Sequence, residues 1–224
     1  MTLGEYIGAG SDITKGLWHF NGDSNDSSGN SNNGTDTDIT YGNDNGRFGQ
    51  GGLFNGSSSR VYIGTPSSLN LSAALTISCW ICPSSYSSER HIIHRGIDTT
   101  SYRQWILFLA NYSGYNEVYF GGSTGGTNAT ATYIATAGLA NNVWLNPIAT
   151  YDGTTRKLYI NSEFRTSENK GNFYSKTSNV CQIGATALAG YYAGKMDEMI
   201  VENRAWTQNE INKYYTMAKG RFGV

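Results

Sequence analysis

VWLNPIATYDGTTRKLYINSE, residues 143–163, carries the clearest strand signal in the chain. Two runs rich in β-branched and aromatic residues flank Asp152-Gly153, a dipeptide that readily takes the backbone angles of a tight hairpin turn. The second limb, Lys157 to Ile160, ends in another turn signal at Asn161-Ser162. Pro147 falls in the first limb. A proline donates no ladder hydrogen bond, so this limb is expected at a sheet edge or a bulge.

Working outward, Leu75 to Cys82 (LTISCWIC) alternates Leu75, Ile77, Cys79 and Ile81 on one face with Trp80 on the other, and Pro83 closes the run. Gln104 to Ala110 (QWILFLA) is apolar on both faces, the pattern of a central strand. Shorter strand patterns fall at Gly16–Phe20, Ile39–Tyr41, His91–Arg95, Glu117–Phe120, Ala131–Ala135, Asn179–Gly184 and Ala193–Glu202. Gly52–Asn55 and Arg60–Ile63 flank Asn55-Gly56 and read as a hairpin. A single helix is expected. Thr207 and Glu210 form a capping box, Ile211, Tyr214 and Tyr215 share one face, and Gly220 provides the stop. Short strands punctuated by turn signals make an all-β, two-sheet antiparallel β-sandwich or jelly roll with one short C-terminal helix.

A chain of 224 residues suits one large β domain. Its 28 glycines and 15% charged residues fit many turns, and its 16 tyrosines make polar-rimmed aromatics a large part of the packing. A net charge of −1 without a basic cluster disfavours nucleic acid as a partner. No apolar run approaches the roughly 20 residues of a membrane span. The first residues, MTLGEYIGAGSDITKG, carry neither a basic n-region nor an apolar h-region, so no signal peptide is expected. Three cysteines (Cys79, Cys82, Cys181) are an odd number for a disulfide framework and read as free, largely buried thiols.

Between the apolar bursts at Leu17–Phe20 and Leu53-Phe54 lies a loop, Asn21 to Gly34, made almost wholly of Asn, Asp, Ser and Gly. Such a composition offers little apolar surface against the entropy of ordering, so something specific has to hold it.

Five blocks together resemble a known family: the Asp26–Asn30 core of that loop (DSSGN), Gly46–Ser57 (GRFGQGGLFNGS), Leu75–Ile81, Ala149–Asn161 and Gly194–Ile211. In this order they are similar to the laminin G-like domains of the concanavalin A-like lectin/glucanase superfamily, over roughly residues 15–216. The resemblance implies a concanavalin A-like jelly roll over residues 15–224, preceded by an N-terminal arm at residues 1–14. That fold hosts lectin and adhesion modules, glycosidases and virion proteins, so it does not by itself set function.

Superfamily glucanases carry three acids on one strand as E-x-D-x-x-E. The nearest segment here, Lys195 to Ile200 (KMDEMI), has Lys and Ile where the outer acids belong, and Asp197 and Glu198 are expected on opposite faces. A non-catalytic protein is expected. Alternation also places Asp197 on the face of Met199 and Val201, the core face, where a carboxylate needs a partner. The resemblance suggests that partner to be the Asp26–Asn30 loop, either through hydrogen bonds alone or around a structural calcium ion held by Asp26, Asn30 and Asp197. A glycan site would draw on loop tyrosines. Tyr86, Tyr102, Tyr112, Tyr115, Tyr191 and Tyr192 are the candidates, Tyr112, Tyr115, Tyr191 and Tyr192 foremost, with Asn111, Asn116 and Asn128 nearby in sequence.

Polar, Gly- and Asn-rich laminin G-like domains are familiar in phage particles. The reading is therefore a structural or adhesive surface component of a virus-like particle: a decoration, fibre or tail protein on a virion or otherwise extracellular. Its arm would dock on a protein partner or on further copies while its loops meet glycans. The alternative is a cellular or exported carbohydrate- or protein-binding module, and a glycoside-active enzyme is the third reading.

Overall fold

A computed structural model of the chain describes residues 12–96, 103–112, 114–124, 132–186 and 189–220. In chain order the strands are β1 (Thr14–Trp18), β2 (Thr35–Thr37), β3 (Thr40–Gly42), β4 (Gly51–Asn55) and β5 (Arg60–Gly64). Then come β6 (Leu75–Pro83), β7 (Arg90–Gly96), β8 (Arg103–Ala110), β9 (Glu117–Gly122) and β10 (Thr132–Thr136). The last are β11 (Pro147–Tyr151), β12 (Thr155–Ile160), β13 (Glu163–Asn169), β14 (Val180–Ile183) and β15 (Ala193–Glu202), followed by the helix α1 (Gln208–Gly220). They form an eight-stranded sheet ordered β13-β12-β11-β6-β15-β4-β3, with β1 also on β15, and a seven-stranded sheet ordered β10-β9-β8-β7-β14-β5-β2. All pairings are antiparallel. The fold is the expected β-sandwich.

The core lies between the sheets. Leu75, Ile77, Cys79 and Ile81 of β6 join one buried cluster with Trp105, Leu107 and Leu109 of β8, as alternation requires. Full burial of each large apolar side chain contributes about 1.5–3 kcal/mol, so these inner rows are the main force holding the sheets together. The eight-stranded sheet is apolar on its outer face too. There Leu17, Ile148, Tyr159 and Ile200 are covered by Trp206, Ile211 and Tyr214 from the C-terminal segment. Trp80 points the same way and stacks on Tyr215 at 5.6 Å. The helix starts where the capping box puts it: the Thr207 amide and hydroxyl donate to Glu210 Oε2 at 2.8 and 2.9 Å.

Three local expectations are corrected. Asn55-Gly56 does not close a hairpin, because β4 belongs to the eight-stranded sheet and β5 to the other. The Asn55 carboxamide oxygen accepts from the amides of Ser57, Ser58 and Ser59 and steers the chain across the sandwich. Pro147 lies neither at an edge nor at a bulge. It is the first residue of a strand paired on both sides, by β12 and β6, a position where a missing N–H is tolerated. Asp197 does not share a face with Met199. Glu198 has φ +51°, and the β15 ladder breaks between Asp197 and Ile200, so the alternation is reset there. Strand β13, carrying Glu163, Arg165 and Glu168, has no counterpart in the sequence reading; its exposed polar residues suit a sheet edge.

Of the expected N-terminal arm, residues 1–11 lie outside the described residues. Asp12 and Ile13 are tied to the domain, their carbonyls accepting from the Asn203 side chain and amide at 2.9 and 3.0 Å. The thiols match expectation: Cys79 and Cys181 are buried, Cys82 is partly so, and none is bridged.

Candidate functional site

The outer face of the seven-stranded sheet gathers rings and charges on four adjacent strands. Ile106, Phe108 and Ala110 of β8 form a separate buried cluster against which Tyr119 of β9 and Tyr133 of β10 pack. Phe108 stacks on Tyr119 at 4.9 Å and meets Tyr133 edge-on at 5.1 Å. Tyr112, 59% exposed, stands edge-on to Tyr119 at 5.5 Å, so the row of rings opens to solvent at that end.

Glu89 ties the polar groups of this face together. Its Oε2 accepts from Arg103 Nη2 at 2.7 Å and from His91 Nε2 at 3.0 Å, and its Oε1 accepts from the Tyr112 hydroxyl at 2.7 Å. The His91 bond, with those from Arg103 and Tyr112, outweighs burial and holds the Glu89 carboxyl well below the usual carboxylate range. Glu89 is therefore ionised. Arg103 also donates to the Tyr133 hydroxyl at 3.1 Å through Nη1, so one guanidinium joins carboxylate and ring. Tyr119 donates to Glu117 Oε2. Burial pushes the His94 ring, beside His91, down to about 3, which leaves it neutral.

The backbone keeps these groups in place. Asn111 Nδ2 donates to Asn116 Oδ1 at 3.1 Å and braces the connection that carries Tyr112 and Tyr115. Gly190 accepts from the His91 amide at 2.7 Å, has φ +74°, and would bring a Cβ to 2.9 Å from the His91 ring. Only glycine lets that loop lie so close.

Of the glycan candidates, Tyr112 and the 62%-exposed Tyr115 are on the surface. Tyr191 is half-buried, and its carbonyl accepts from Arg90 Nη1 at 2.7 Å. Tyr192 offers no surface to a ligand: it is wholly buried edge-on to Phe54 and donates to the Lys195 carbonyl. Tyr86 is likewise a core residue, and Tyr102 and Asn128 lie outside the described residues. Sequence reasoning missed Glu89, His91, Arg103, Tyr119 and Tyr133. The Glu117/Tyr119 pair, two apart on one face of β9, and Glu89, one residue before β7 and two before His91, were the available signal.

The acids of the expected calcium site sit in separate hydrogen-bond sets. Asp26 Oδ1 accepts from the Leu17 and Ser28 amides, and Oδ2 from the Ser28 hydroxyl and the Asn32 amide, all within 2.8–3.0 Å. Asn30 Nδ2 donates to the Thr14 carbonyl and Ser28 Oγ. Asp197, fully buried, accepts the Arg47 and Phe48 amides on Oδ2 at 2.8 Å each, and its Oδ1 has no protein partner. Burial and then the neighbouring Glu198 carboxylate push Asp197 up to about 7. Glu198 in turn bonds His19 Nδ1 at 2.9 Å. Calcium needs open oxygen ligands, and four donors already occupy those of Asp26. The residues present do not fit an ion bridging Asp26, Asn30 and Asp197. Among the described residues no group of three or more His, Cys, Asp or Glu is arranged to hold a metal.

A family model described as the concanavalin A-like lectin/glucanases superfamily matches residues 55–212. No curated protein matches the chain. Among solved structures, domain 4 of AbnA, a GH43 extracellular arabinanase from Geobacillus stearothermophilus in complex with arabinotriose, is similar with a TM-score of 0.70 at 18% identity. The match covers 91% of this chain and 99% of that one. The botulinum neurotoxin serotype G binding domain gives 0.67 at 15% identity, covering 91% of this chain and 51% of that one. The binding domain of Paraclostridial Mosquitocidal Protein 1 gives 0.67 at 16%, covering 95% and 53%. The chain thus spans about half of each toxin binding domain.

Proposed function

We propose a ligand-binding, non-catalytic role for this chain, which belongs to the laminin G-like family of the concanavalin A-like lectin/glucanase superfamily. The ligand is a glycan, and it docks on the outer face of the seven-stranded sheet around Tyr112, Tyr119, Glu89 and Arg103. The observation that carries this reading is the Tyr112–Tyr119–Phe108–Tyr133 row of rings beside an ionised, hydrogen-bonded carboxylate. Ring faces stack on the C–H faces of sugars while carboxylate and phenol oxygens meet their hydroxyls. The arabinotriose on AbnA domain 4 is consistent with it.

Two features support a role without catalysis. Glycoside hydrolysis needs one carboxylic acid that keeps its proton, and Glu89 is held ionised. Asp197, whose carboxyl burial pushes up to about 7, shares the outer face of the other sheet with Trp80, under the Arg47–Phe48 turn. The deciding experiment is a glycan array followed by titration calorimetry with the wild type and Tyr112→Ala. Saturable binding lost in the variant supports the reading; binding that ignores the substitution contradicts it.

The setting proposed is the surface of a phage or virus-like particle, where the domain would act as a decoration, fibre or tail adhesin. Its support is the polar, Gly- and Asn-rich character of the chain, in a fold that also serves in virion proteins. Capsid and terminase genes beside the coding gene agree with this setting, and polysaccharide-utilisation genes there would point to an exported binding module.

A further inference from the structure

We infer that the tyrosine-lined face selects against anionic glycans and takes hydroxyl-rich sugars that carry no negative charge. This rests on the glycan reading above and narrows it to a ligand class.

The guanidiniums of Arg103 and of Arg90, the residue between Glu89 and His91, are both engaged by the protein itself. Arg103 gives Nη2 to Glu89 and Nη1 to Tyr133, with only 11% of its side chain exposed. Arg90 gives Nε to the Ser87 carbonyl, Nη1 to the Gly56 and Tyr191 carbonyls, and Nη2 to Ser87 Oγ. His94 is neutral, and His91 points Nε2 at Glu89. The acceptors are different. Glu89 Oε1 takes one donor, the Tyr112 hydroxyl, and a carboxylate oxygen has room for a second. Glu117 receives Tyr119 through Oε2 alone, which leaves Oε1 for a ligand. Tyr112 and Tyr119 both donate inward, so their hydroxyl protons are not offered outward.

A ligand on this face therefore meets ring surfaces and negatively charged acceptors, and among the described residues no unengaged cation beside them. Sugar hydroxyls donate well to such acceptors. A uronate or sialate would bring a second negative charge against Glu89 and Glu117 with nothing to pair it, which costs affinity in a partly desolvated site.

The test uses the full chain and calorimetric titration with two probe classes. The neutral probes are arabino-, cello- and malto-oligosaccharides; the acidic ones are oligogalacturonates and sialyllactose. Neutral probes are expected to bind at least tenfold more tightly than acidic probes of equal length. Glu89→Gln, which keeps the shape and frees Arg103 from its ion pair, is expected to shrink that ratio severalfold by admitting the acidic probes. Should that variant misfold, as judged by its circular dichroism, Glu117→Gln gives the same reading from the other carboxylate. Acidic probes binding as tightly as neutral ones, or a ratio unmoved by both variants, overturns the inference while leaving the glycan reading intact. Binding of neither class overturns the glycan reading, and this inference with it.

Discussion

Glu89 shows how much a single side chain organises here, because three donors from β7, β8 and the β8–β9 connection converge on it. Its depressed pKa gives a signed expectation. The interactions are fully present above the ordinary carboxylate value and fade only as pH falls through the lower value of the folded state. Ligand affinity measured by calorimetry should accordingly stay flat from neutrality down to about pH 5, where an ordinary glutamate begins to protonate. Tyr112→Ala should weaken binding about tenfold with little change in melting temperature, since that ring is mostly exposed. Asp197 has the opposite sign. Its pKa is raised, so its contribution to stability is fully present below the usual aspartate value and lost as pH rises through about 7. Asp197→Asn should remove that slope from a series of denaturant melts, whereas Asp197→Ala, which strands the Arg47 and Phe48 amides, should cost about 1–3 kcal/mol. Little of this was legible in sequence. The burial of Asp197 was readable, but its loop partner was not. The donors come from residues 150 positions away, and the bulge at Glu198 inverts the face that alternation assigns.

At the scale of elements, turns and periodicity carried far, and the failures have physical causes. The Asn161-Ser162 turn, the alternation of β6 and the capping box at Thr207 were all readable, because each depends on local chemistry alone. Thr207→Ala should lower stability by about 1 kcal/mol, measurable as a shift in the denaturation midpoint at unchanged slope. Asn55-Gly56 deceived because a tight turn looks the same whether the chain returns to its own sheet or crosses to the other. The Asn21–Gly34 loop reads as linker by composition, yet Asp26 gathers four donors and Asn32 bonds the Lys15 carbonyl at 2.6 Å. We expect the melting temperature to be the same in excess calcium and in excess chelator, and Asp26→Ala to lower it in both. A chelator-sensitive melt of the wild type would show that an ion shares the work of holding the loop.

For the whole molecule, sandwich class, sheet count and terminal helix follow from strand periodicity and turn spacing, since burying alternate residues between two sheets is the dominant stabilisation. The outer face of the seven-stranded sheet was not foreseeable in the same way. Its members come from the β6–β7 connection, β7, β8, the β8–β9 connection, β9 and β10, and only the strand order brings them together. That assembled face is the proposed ligand site. It is tested most directly by titrating the folded chain with neutral oligosaccharides alongside the Tyr112→Ala/Tyr119→Ala double variant. A ligand on this face gives saturable, one-site binding by the wild type and loss of at least tenfold in the variant at an unchanged fold. Equal binding by both proteins would place the ligand elsewhere and contradict it.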